Sequence, residues 1–431
     1  MMKRLMAALL VLMLTMTAAL AEETKPAIVL GTGALEDPFA EMTENKTNYR
    51  PRSYVYLGTA DAAPVRWRVL DAEKASDGAT AGVFLLSEYT LEDGVLFHPT
   101  DGKYKNNGNV WQGSTAQAWC QNFVSAAMNG VERAALLGVN KTEAAGRVSG
   151  IAWKECVLTE ADLAFFLSVQ EMLAYLGDYH RGSARQAKDA NGTGKHWWLR
   201  SGSSLYNYTA GALESTGTLT HVDVDMSIIS ARPAVNLNAR AVAFTASAGS
   251  KAAGADGLAP VGAASGSDYH LTLLDKERIF AAQERQITAE PAGTFNVHYT
   301  DAKTGDGEYI SAMVVKNGEA LFYGRLAAAA SVDGSAEVTL PASLPEGNYE
   351  LLVFNEQVNG DNRPDVCSDF SNIALTVRTE PAVTPTPEST ATPAPAPEVP
   401  ATGDGAHPAA WLGLALLAVM LLTVRWKAAQ N

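Results

Sequence analysis

Apolar and polar positions begin to alternate at residue 53. Residues 53–58 and 65–70 have the period of two and the β-branched and aromatic content of strands. Residues 82–86 form an unbroken apolar run, as in a strand covered on both faces. The spacing then changes. Trp119, Phe123 and Ala127 recur every fourth position, which predicts a helix over 114–128 with Gly130 past its end, and a shorter helix over 131–137. Ser168 and Glu171 stand as a capping box, so a strand at 165–167 should give way to a helix over 169–176. A hairpin over 211–213 and 218–220, then strands at 222–225 and 229–237, closes this region. From Tyr269 the alternation is wholly of strand type, at 271–273, 295–299, 310–315, 338–340, 349–354 and 373–377. The expected fold class is α+β: a mixed α/β head over 49–246, then an all-β immunoglobulin-like sandwich over 268–378.

The stretches between and beyond these regions differ in composition. Residues 22–48 are polar with weak period and read as a linker, and 247–267 are Ala/Gly/Ser-rich, a flexible joint. Residues 379–398 are Pro-rich and predict an extended stalk of polyproline type. Residues 1–21 have the form of a signal peptide, with Lys3 and Arg4, an apolar stretch, and Ala19-Leu20-Ala21 as cleavage site. At the other end, an apolar run over 409–424 is followed by Arg425-Trp426-Lys427. As a helix it spans about 24 Å, slightly short of a hydrocarbon core of about 30 Å. It suits holding a chain at a membrane with its basic tail inside.

Just before that run stand Val399, Pro400, Ala401, Thr402 and Gly403. Motif, apolar run and basic tail in this order resemble the cell-wall sorting signal read by sortases in Gram-positive bacteria, Leu-Pro-x-Thr-Gly, with Val399 in the first position. The resemblance implies cleavage between Thr402 and Gly403, with sortase and peptidoglycan as partners. It places the chain at the cell surface, membrane-inserted only before sorting. The alternative is a plain single-pass anchor.

Net charge adds an exclusion. It is −14 for the whole chain, and −17 once Lys3, Arg4, Arg425, Lys427 and Asp404 are set aside with the two ends. Such a balance argues against nucleic acid as partner. Cys120, Cys156 and Cys367 are too few for a disulfide framework, and spacing leaves open a Cys120–Cys156 bridge or free thiols.

The head carries Trp67-Arg68-Val69-Leu70, Leu85-Leu86-Ser87, Leu167-Ser168 ahead of Glu171, Trp197-Trp198-Leu199-Arg200-Ser201 and Arg232-Pro233-Ala234. In this order, over residues 53–238, they resemble a bacterial surface family known only as a domain of unknown function, DUF family 6273. A weaker likeness is to C-type-lectin-like folds. Gly202 stands where members often have Pro.

Candidate site residues follow from chemistry. Trp197 and Trp198, with Trp111 and Trp153, suit stacking against sugar rings; the blander reading puts one of an adjacent pair inward on a strand. Arg200 and Arg232 suit clamping a carboxylate or sulfate, or else tying the fold together as paired buried cations. Asp223 and Asp225, with Asn236 or Asn238, offer oxygens to Ca²⁺, although two acids are too few alone and a solvated face is the simpler account. Cys120 and Cys156 lie far in sequence from the Trp and Arg motifs, and buried structural thiols are the simpler reading. No His pair has metal spacing, and no nucleophile elbow or phosphate loop occurs. The expectation is therefore a wall-anchored surface protein, without cofactor, whose head is a non-catalytic binding module for a glycan or protein. Alternatives are an extracellular enzyme acting on polymers, or a structural display unit.

Overall fold

The computed structural model describes residues 25–379 except 44–45, 80, 100–107, 178–182, 252–256 and 361. The signal peptide, most of the Pro-rich stalk, the sorting motif and the apolar run at 409–424 lie outside the described residues. Among the described residues, no helix is long and apolar enough to cross a membrane.

The mixed α/β head expected from sequence is overturned: among the described residues strand accounts for 46% and helix for 9%. The helices of the described residues are α1 (Thr115–Ala127), α2 (Gly130–Ala134) and α3 (Val169–Leu176). All are short, and the loops between them pair into small ribbons, Lys141–Glu143 with Cys156–Leu158 and Gly146–Val148 with Ile151–Trp153. Ser114 caps α1, its side chain accepting from the Gln117 N–H. Gly130 opens α2 rather than trailing α1, because Asn129 and Glu132 form a capping box there. The box at Ser168 and Glu171 forms as the sequence implies.

Most strands join one sheet. Its path runs from Ala164–Phe165 through Ala234–Asn238, Gly82–Ser87, Ala63–Asp71 and Tyr54–Ala60 to Asp268–Leu274. It continues through Asp365–Cys367, Gly347–Gln357, Glu308–Lys316 and Glu319–Ala328 to Ala259–Pro260. Asp268–Leu274 is the crossing point: along one edge it runs parallel to Tyr54–Ala60 at its start and to Asp365–Cys367 at its end. Within 22–48, Ile28–Leu30 pairs antiparallel with Val242–Ser247, which in turn pairs with Asp268–Leu274.

Three apolar cores follow. The first fills the head with Trp67, Phe84, Phe97, Trp111, Trp153, Phe165, Phe166, Trp197 and Trp198. The second lies in a two-layer sandwich, where Val297, Tyr299, Ala336 and Val338 of a three-stranded sheet face Ile310, Val314, Leu351, Val353 and Ile373 of the large one. The third, with Ile28, Phe244, Met313, Tyr323, Leu352, Phe354 and Cys367, occupies the junction. Full burial of each large apolar side chain contributes about 1.5–3 kcal/mol.

Candidate functional site

The Trp-Trp-Leu-Arg-Ser element lies on Gly194–Gly202, the strand at the centre of a five-stranded sheet. Strand alternation would leave one of the two Trp side chains facing water, yet both are fully buried because both faces are covered. Trp197 donates its indole N–H to Arg185 O at 3.0 Å and lies under the Arg232 guanidinium, 4.7 Å from its ring centre. Trp198 donates to Val95 O at 2.6 Å and meets Phe97 edge-on. Trp111 and Trp153 are buried too. None of the four Trp faces a ligand from outside.

The two arginines take separate places in the core. Arg200 reaches Phe166 O at 2.8 Å and grips Glu171 through both terminal nitrogens, one contact at 3.0 Å. Lys141 bonds the same carboxylate at 2.8 Å. Burial pushes the Glu171 pKa up, but Arg200 and Lys141 outweigh it and hold it down at about 2. Arg232 donates to Ser87 O at 2.9 Å and Glu88 O at 3.3 Å; burial and the neighbouring Arg68 push its pKa down. These are ties between elements, not a clamp open to an anion.

The Ca²⁺ candidates are not assembled. Asp223 ends the strand Leu219–Asp223, Asp225 falls in the turn after it, and both are partly exposed. Asn236 is buried elsewhere, accepting from Ser76 N at 2.7 Å, while Asn238 caps a 3-10 turn. Among the described residues, no cluster of three or more His, Cys, Asp or Glu side chains is placed to hold a metal ion. The three cysteines are free and buried. Contrary to expectation, Cys156 adjoins the Trp/Arg element, 3.7 Å from Ser201 Oγ, and burial raises its pKa to about 11. A thiol held protonated in this way is a poor nucleophile.

What the head does present to solvent is a different set of aromatics. Tyr206, on the loop after Gly202, is 49% exposed, its ring tilted against those of the half-buried Tyr208 at 5.5 Å and His221 at 6.0 Å. Leu205 (56%) flanks it, and the Val224 N–H bonds Tyr208 O at 3.0 Å, bringing in the turn that carries Met226 and Ile228 (63%). Buried Asn109 fixes this loop: its Nδ2 lies 2.9, 3.0 and 2.7 Å from the carbonyls of Ser203, Tyr206 and Thr209, and its Oδ1 accepts from Lys154. Gly202 is required here, since an added Cβ would sit 2.3 Å from Asn109 O. The sequence carried a signal for this platform, aromatic and aliphatic residues within a Ser/Asn loop between two strands, but the adjacent Trp pair is the stronger lure.

Residues 81–239 match the family model described as domain of unknown function (DUF6273). The matched stretch holds the Trp/Arg element, the buried Arg200–Glu171 pair and the exposed tyrosine loop. Trp67 to Leu70, an early part of the resemblance, lies before the matched stretch. No curated protein matches the chain.

Proposed function

We propose that the chain is an exported surface protein, joined to peptidoglycan by sortase at Thr402 after a membrane-held intermediate, and that its DUF6273 region is a non-catalytic binding module. The observation that carries the binding role is the exposed Tyr206, backed by the half-buried Tyr208 and His221 on a loop held by the buried Asn109. Exposed apolar and aromatic surface on a rigid loop marks recognition rather than packing. Aromatic faces with hydroxyl edges suit a glycan: ring faces stack on the apolar faces of sugars while polar edges take their hydroxyls.

The test uses the full chain on glycan and protein arrays. Tyr206→Ala should abolish retention on the array while leaving the melting temperature within about 1–2 °C, as expected for a surface change. Binding unaffected by Tyr206→Ala and Tyr208→Ala together removes this surface as the site. The wall tether is checked separately, by release on wall digestion and not on detergent extraction.

A further inference from the structure

At the junction core, Lys251 is driven into a pocket of carboxylates and aromatic rings. Its side chain is 8% exposed, against 0% for Glu356 and 2% for Asp365. Nζ contacts Glu356 Oε1, lies 2.5 Å from Asp365 Oδ2, and sits over the rings of Phe244 and Tyr323 at 4.9 and 5.6 Å. Each carboxylate is held from its far side. Glu356 Oε2 accepts from Tyr323 Oη at 2.7 Å and Ser311 Oγ at 2.9 Å. Asp365 Oδ1 accepts the Asn359 backbone N–H at 2.7 Å, and His270 Nε2 lies 3.0 Å from Oδ2.

The geometry points to a covalent amide between Lys251 Nζ and Asp365 Cγ, formed within the folded chain with Glu356 as the proton carrier. Glu356 takes a proton from the ammonium through Oε1 and passes it to Asp365 Oδ2, and the freed amine lone pair forms the N–C bond at Cγ of the neutral acid. Negative charge grows on Oδ1, where the Asn359 N–H already points, as a preorganised donor should. A second proton then leaves nitrogen for the same oxygen, and the Cγ–Oδ2 bond breaks. Of the three ammonium hydrogens, one stays on the amide and two depart in water, so no oxidant or cofactor enters.

Two physical effects drive the step. The reacting atoms are held in contact by strands that the fold orders for other reasons, which supplies the effective concentration that free amines and carboxylates lack. Burying one ammonium with two carboxylates is costly, and condensation replaces a desolvated pair by a neutral amide. In the resting pair, burial works against the Lys251 charge, but Glu356, Tyr323 and Asp365 raise its pKa; burial likewise works against the Asp365 charge, but Lys251 and His270 outweigh it and hold that pKa down. The bond therefore forms through the minor neutral pair of amine and acid, which Glu356 makes accessible. A cavity of about 480 Å³, lined by Tyr56, Tyr269, His270, Lys251 and Asp365 among others, opens beside the triad and takes the released water.

This inference rests on the junction alone, so its outcome is independent of the tyrosine platform. The test is peptide mapping of the purified full chain after tryptic digestion. The expected result is a branched peptide joining the Lys251 and Asp365 segments, uncleaved after Lys251 and about 18 Da lighter than their sum, the mass of one water. Recovery of both segments unlinked from the folded wild-type chain overturns the proposal, and needs no variant. Asp365→Asn should still link, now with loss of ammonia, about 17 Da. Lys251→Arg should remove the branch in a chain that still melts cooperatively. In folded Glu356→Gln, linkage should be lost or slowed at least tenfold; linkage at the wild-type rate overturns the proton-carrier role.

Discussion

Replacing Glu171 by Gln tests whether the buried ion pair behind the Trp/Arg element holds the head together. In the folded chain this carboxyl titrates at about 2, against an ordinary value of 4.5. Its pKa is depressed by folding, so its contribution is complete above about pH 4.5 and drains away as pH falls toward about 2. That interval, at about 1.4 kcal/mol per pH unit, amounts to roughly 3 kcal/mol. The figure agrees with the cost of about 3–5 kcal/mol for removing one partner of a buried pair. Gln keeps the shape and the cap to Ser168, while Arg200 is left with Glu143 Oε2 at 3.6 Å as its other carboxylate neighbour. Urea unfolding followed by Trp fluorescence should show wild type more stable by about 3 kcal/mol at pH 7. The gap should close as the buffer is taken from about pH 4.5 to pH 2. A gap below about 1 kcal/mol at pH 7, or one that stays constant through the acid range, would refute the reasoning.

Trp198→Ala should destabilise the head by about 3–5 kcal/mol through its cavity and the orphaned Val95 carbonyl, while Trp198→Phe costs less; calorimetric melting separates them. Gly202→Ala should distort the Asn109 anchor, costing about 1–3 kcal/mol and weakening array binding along with stability. With burial raising the pKa values of Cys120, Cys156 and Cys367, a thiol reagent at pH 8 should label them only after denaturant is added. Labelling of native protein at any of the three would contradict their burial.

What the sequence disclosed was local. The Ser168 box and α3 were readable because both partners of a cap lie within four residues. So were Gly82–Ser87 and Gly347–Gln357, whose apolar content is continuous enough to declare a strand. What misled was the weight given to the helices: the three expected all form but are short, while ribbons of three-residue strands leave no period to detect. Alternation also misjudged Trp197 and Trp198, because the rule assumes one wet face and this strand has none. The second role of Glu171, as counter-ion to Arg200, depends on a partner 29 residues away. Lys251 was harder still: a single cation in an Ala/Gly/Ser stretch gains meaning only when Asp365, 114 residues on, is laid against it.

Because Asp268–Leu274 is hydrogen-bonded to Tyr54–Ala60 and Asp365–Cys367 along one edge and to Val242–Ser247 along the other, the molecule resists dissection. A truncation anywhere in 247–267 strips a neighbour from both products and leaves raw backbone edges that recruit other chains. Anyone preparing crystals, immunogens or display fusions should therefore keep residues 25–379 in one piece. A recombinant head cut off before Asp268 is expected to precipitate rather than behave as a module.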